Sequence, residues 1–129
     1  MTDPVHIPAD RPARQTRDDR RHGDQTLRLL VDGDGGPSAR LTQAIVDLAP
    51  AAREALHRHP DHPVTAHVLS GGGTAEFRGP ARVLQPGDTV YVPAGILHGW
   101  SAGEEGMSLL LTFPADRLAD VTYDFADPA

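Results

Sequence analysis

Punctuation constrains this chain more than any other feature. From Thr26 onward, short apolar runs are separated by Gly, Pro and Asp at intervals of roughly ten residues, the pattern of strands joined by turns in a sandwich or barrel. The runs are LRLLV (27–31), RLTQAIVDL (40–48), VTAHVL (64–69), TAEFR (74–78), ARVL (81–84), TVYV (89–92), LHGWS (97–101) and MSLLLTF (107–113). Between them, DGDGGPS (32–38), GGG (71–73), QPGD (85–88), PAG (93–95) and GEEG (103–106) are the expected turns. In QPGD, Pro86 fixes the first central φ and Gly87 is free to take the positive φ of the second, a type II arrangement. Helix has little room: AAREALHR (51–58) reads partly as helix, held to at most two turns by Pro50 and Pro60, and ADRLAD (115–120) as a terminal helical turn.

A chain of 129 residues with no composition break has room for one domain. Residues 1–24, rich in Pro, Arg and Asp, bury too little apolar surface to offset ordering entropy and are expected to form a flexible arm. The barrel domain is expected over 25–114, and 115–129 as a C-terminal tail. Acidic residues outnumber basic ones 18 to 12, with no basic stripe beyond the arm, so nucleic acid is disfavoured as a partner. No secretory signal and no run of 18 apolar residues occur, so the expected location is the cytoplasm, without membrane association. Because there is no cysteine, a metal would have to be held by His, carboxylate, amide or water.

The candidate chemistry begins in HRHPDHPVTAH (57–67), which holds four of the seven histidines. On a strand, alternate side chains share a face, so His57 and His59 can point the same way about 6.6 Å apart at Cα and converge on one ion. An HxH pair alone describes solvated surface histidines equally well. The second half of the pattern is GDTVYVPAGILHGW (87–100), in which Gly87, Pro93, Gly95 and His98 are separated by five, one and two residues.

Here the sequence resembles the cupin superfamily. Its second motif is matched at every defined position by Gly87, Pro93, Gly95 and His98, with Ala102 in place of a loosely kept Asn. Its first motif is matched by His57, His59 and Gly71, with Ala51 in place of the opening Gly and Val64 in place of a metal-ligating Glu. The resemblance spans about residues 40 to 113. It implies an all-β, cupin-type double-stranded β-helix, a jelly-roll barrel, commonly a homodimer. It also implies a divalent transition metal, Fe(II), Zn or Ni, on His57, His59 and His98.

Loss of the glutamate leaves three neutral imidazoles and a strongly Lewis-acidic ion with open positions. His62 is the leading candidate for a replacement donor and for a proton-transfer role, with Asp61 second. If Val64 faces inward, Ala66 and Val68 share its face and His67 points away. Gln43, Phe77, Tyr91 and Trp100 are candidate substrate-pocket residues, and Arg28 and Arg40 candidate partners of a substrate carboxylate. Two functions follow as expectations. The first is a metal-dependent enzyme on a small organic substrate, either a dioxygenase or an isomerase, cyclase or lyase acting through a metal-stabilised enolate. The second is a non-catalytic domain that binds or senses a small molecule.

Overall fold

The computed structural model describes residues 3–34 and 38–126. Residues 35–37 of the first expected turn, 1–2 of the expected arm and 127–129 of the expected tail lie outside the described residues. The strands are β1 (Arg14–Asp19), β2 (Gly23–Val31), β3 (Thr42–Leu48), β4 (Arg53–Arg58), β5 (Val64–Glu76), β6 (Arg82–Leu84), β7 (Thr89–Val92), β8 (His98–Phe113) and β9 (Asp124–Phe125). Among the described residues, one 3-10 turn at Leu118–Asp120 falls within the helical turn expected for 115–120. Among the described residues no helix is long and apolar enough to cross a membrane.

The sheet closes on itself through its two longest strands. β8 pairs along one edge with β3 and then β4, and along the other with β5, whose far edge carries β6 and β7. All pairings are antiparallel, and the result is the expected jelly-roll barrel. Period-2 alternation builds its interior: Thr42, Ala44, Val46 and Leu48 on β3, Val64, Ala66 and Val68 on β5, and Leu109, Leu111 and Phe113 on β8 are all buried.

Two expected turns are instead bends inside strands. GGG (71–73) lies within the 13-residue β5 and GEEG (103–106) within the 16-residue β8. Glycine in a strand marks a bulge or a close backbone approach as often as a reversal. Here both operate. The register shifts between Gly71 and Gly73, and a Cβ at Gly73 would stand 1.9 Å from the Ser101 carbonyl oxygen. These glycines let the two long strands curl and press together without breaking.

Both ends of the chain also differ from expectation. Residues 14–19, inside the segment expected as a flexible arm, form β1 and pair with β2 along their whole length. The expected tail supplies Ala115 and Val121 to the core and β9 to the sheet, where it pairs with β4. The 53–58 segment, read partly as helix, is strand β4. Its cross-strand partners on β8 and the positive φ of Ala51 (63°) override a helix propensity that two turns could not sustain alone.

Candidate metal centre

His57 and His98 face one another across the β4–β8 pair, and His59 follows β4 with the same parity as His57. The PAG turn delivers His98. Gly95 takes the left-handed φ (82°) that the turn needs, and its N–H donates to the His59 carbonyl at 2.9 Å, tying the two histidine segments together. All three rings are buried, at 1% exposure for His57, 3% for His59 and 1% for His98. Ring centroids lie 4.4 Å (His57–His98), 5.0 Å (His57–His59) and 5.1 Å (His59–His98) apart, and one nitrogen from each falls within 4.8 Å of the others.

The outward nitrogens explain the orientation. Nδ1 of His57 bonds to the Ala55 carbonyl at 2.8 Å, Nδ1 of His59 to the Thr122 carbonyl at 2.9 Å, and Nδ1 of His98 to the Ile96 carbonyl at 2.9 Å. A carbonyl can only accept, so each Nδ1 carries the proton and donates it, which leaves each Nε2 with a free lone pair turned inward. Such backbone bonds set tautomer and ring angle in metal-binding histidines. Burial, reinforced by the like charge of His98, lowers the His57 pKa to about 3. Burial lowers that of His59 to about 4 and also lowers that of His98. The three imidazoles are therefore neutral at physiological pH, the form a divalent cation requires.

The rings share a cavity of about 10 Å³ with Glu54, Val64, Trp100, Leu111, Phe113 and Tyr123. That volume holds about one water or one ion. Val64 lines it, so the position where the motif has glutamate does face the site, bringing an aliphatic side chain. Trp100 is 2% exposed and meets His98 edge-on at 5.6 Å.

The other expected site residues are elsewhere. Gln43 alternates with the buried face of β3 and donates to Thr112 Oγ1 on the barrel's outer surface. Tyr91 is 64% exposed, and Phe77 packs at the rim of two open surface grooves. Arg28 pairs with Asp47 at 3.7 Å, and Arg40 is exposed. Asp61 is exposed, and half-buried His62 is close enough to His59 and Asp120 to influence their charge without lining the cavity. His67 points away and bonds Thr89 Oγ1.

Two residues that the sequence reading passed over do line the cavity. Glu54 and His57 are three apart and would face opposite sides of a regular strand. Across the pair, however, Glu54 sits opposite Trp100 and His57 opposite His98, two residues apart, so β4 carries one extra residue, a bulge that turns both side chains inward. Glu54 is 4% exposed, accepts a bond from Gln25 Nε2 on Oε2 at 3.1 Å, and places Oε1 3.8 Å from His57 Nε2. Desolvation pushes its pKa up to about 7 against the opposing bond from Gln25. Tyr123 arrives from beyond the barrel motifs, stacks on His57 at 5.3 Å and meets His59 edge-on at 4.6 Å. Burial raises its pKa and keeps the phenol protonated. A glutamate in the HRH strand was the visible hint for the first. Nothing local signals the second.

Comparison with known proteins agrees with the fold. The Arabidopsis thaliana protein "Germin-like protein subfamily 3 member 1" is 34% identical over 92 residues, covering 67% of this chain and 44% of that protein, so the chain spans less than half of the relative's length. The polyketide cyclase RemF from Streptomyces resistomycificus superposes with a TM-score of 0.76 at 21% identity, covering 100% of this chain and 88% of the other. The DMSP lyase DddQ from Ruegeria pomeroyi gives 0.68 at 25% identity, covering 79% and 51%. The cupin domain profile matches residues 44–113, more than half of the sequence, and the chain belongs to the cupin family.

Proposed function

We propose that this protein is a metal-dependent enzyme acting on a small organic molecule, with His57, His59 and His98 holding one divalent transition metal. The observation that carries the reading is the set of Nδ1 bonds to backbone carbonyls, which aims three neutral Nε2 lone pairs into one buried cavity. When bound, the ion would supply Lewis acidity, polarising a substrate carbonyl and stabilising an enolate, or with iron would support dioxygen chemistry. The walls made by Val64, Trp100, Leu111 and Phe113 exclude water and lower the local dielectric, which strengthens any charge interaction there. Tyr123 lines the same wall and stays protonated, which makes its phenol, beside the Arg17 guanidinium, the proposed proton donor. Because Tyr123 lines the cavity and His62 does not, the proton role expected of His62 is proposed for Tyr123 instead.

A cavity of about 10 Å³ admits no organic substrate as it stands, so part of the wall must move. Tyr123 is the wall residue contributed from outside the barrel's long strands, next to the two-residue β9, and is the part proposed to move. The DMSP lyase with the same fold supports an enzyme of the cyclase, isomerase or lyase kind. The closed wall favours a second reading, a non-catalytic binding domain.

Elemental analysis of protein purified without added metal, repeated on His59→Ala and His98→Ala, tests the centre. About one equivalent in the parent and none in either variant is expected, and metal retained by the variants would sink the assignment. Turnover or oxygen uptake by the loaded parent separates enzyme from binding domain.

A further inference from the structure

The position at which the first motif has a carboxylate is filled by Val64, yet a carboxylate reaches the same cavity from a different strand. We infer that Glu54 is the fourth protein donor to the ion held by His57, His59 and His98, an inference that rests on the metal-centre reading above. Its Oε1 stands 3.8 Å from His57 Nε2. Two donors with bonds of about 2.1 Å to a common ion lie at most about 4.2 Å apart, a limit this pair meets. The carboxylate is not among the donors that already lie within 4.8 Å of one another, His57, His59 and His98, so its side chain has to swing toward the other two rings to join them on one ion.

Position and charge point the same way. Regular pairing would turn Glu54 to the outer face of β4, and only the extra residue between it and His57 brings it in. Once inside, the side chain has a neutral partner in Gln25, whose Nε2 is fixed by a second bond to the His22 carbonyl at 2.6 Å and holds Oε2. Oε1 is left facing a neutral imidazole. That imidazole lies within 4 Å of the carboxylate, and the Arg17 guanidinium, farther off, favours the ionised form without offsetting the desolvation of burial. An ionised carboxylate in such a place carries a desolvation penalty that a divalent cation offsets directly. Asp61 and His62, the other candidate donors, do not line the cavity. The donor set becomes three imidazoles and one carboxylate, the composition of the family motif reached from a different strand.

The test uses the full chain, stripped with a chelator and titrated with Co²⁺ alone and with Zn²⁺ alone, in the parent, Glu54→Gln and Glu54→Ala. Glu54→Gln preserves size and a bond to Gln25, and urea unfolding of each metal-free variant establishes that it is folded. Loss of a direct donor should weaken Zn²⁺ binding by at least about 100-fold, the upper end of what removing a group behind a ligand costs. It should also change the visible d–d absorption of bound Co²⁺. Unchanged affinity and spectrum in the variants would overturn the inference while leaving the three-histidine centre standing. Weaker binding with an unchanged spectrum would overturn it too, making Glu54 a positioning group for His57. If the parent binds neither ion, the metal-centre reading fails and this inference fails with it.

Discussion

Acidification of the metal-free protein is the sharpest probe of the buried cluster, because the groups in it oppose one another. The pKa values of His57 and His59 fall from 6.5 to about 3 and about 4 in the fold, so between those values and 6.5 the unfolded chain binds more protons and stability drops as pH falls. At pH 5 the distance of about 1.5 pH units to the unfolded value is worth about 2 kcal/mol for each ring. His98 acts in the same sense.

Glu54 runs the other way. Its pKa rises from 4.5 to about 7, so the folded state binds the extra proton, and stability from this group is present at low pH and lost as pH rises through 7. Moving from pH 8 to pH 5 therefore returns about 2 to 3 kcal/mol. The parent should lose about 2 kcal/mol over that interval and Glu54→Gln, which cannot return anything, about 4 kcal/mol or more. Urea unfolding of chelator-treated protein at both pH values, fitted with a common m-value, measures this. Equal stability of the parent at pH 5 and pH 8, or a Glu54→Gln loss no larger than the parent's, would refute the placement of neutral imidazoles beside a protonated carboxyl.

Two further outcomes follow from packing. Gly73→Ala puts a methyl 1.9 Å from a backbone oxygen where neither strand can yield, and should cost at least about 2 kcal/mol in urea unfolding. Gly79→Ala, with nothing within 4 Å of the new Cβ, should change little; equal effects at the two sites would contradict the strand crossing. Tyr123→Ala removes a half-buried ring from the cavity wall, at a cost of about 1 to 3 kcal/mol. In the native state it should also speed modification of His57 and His59 by diethyl pyrocarbonate; an unchanged rate would show that Tyr123 does not close the site.

Period-2 alternation and turn chemistry made the barrel legible from the sequence, because each strand must bury one face and each reversal needs residues that tolerate its φ. QPGD behaves as read, with Gly87 at φ 93° and the Asp88 N–H bonded to the Gln85 carbonyl at 3.1 Å. GGG and GEEG were misplaced as turns because glycine serves a reversal and a bend equally well. Only the register with a neighbouring strand tells the two apart.

The site divides along the same line. Spacing on a strand let His57 and His59 converge, and the resemblance of the two motifs to the cupin pattern added His98 to the pair. Val64 likewise announced that the usual carboxylate was missing. Tertiary structure decided the rest. A single-residue bulge in β4 reverses the side on which Glu54 lies, and strand parity read from sequence cannot register an insertion that only the pairing with β8 reveals. Tyr123, whose neighbour Thr122 fixes His59 through its carbonyl, reaches the cavity from a segment more than sixty residues away, a contact set by how the chain end packs and by no local pattern.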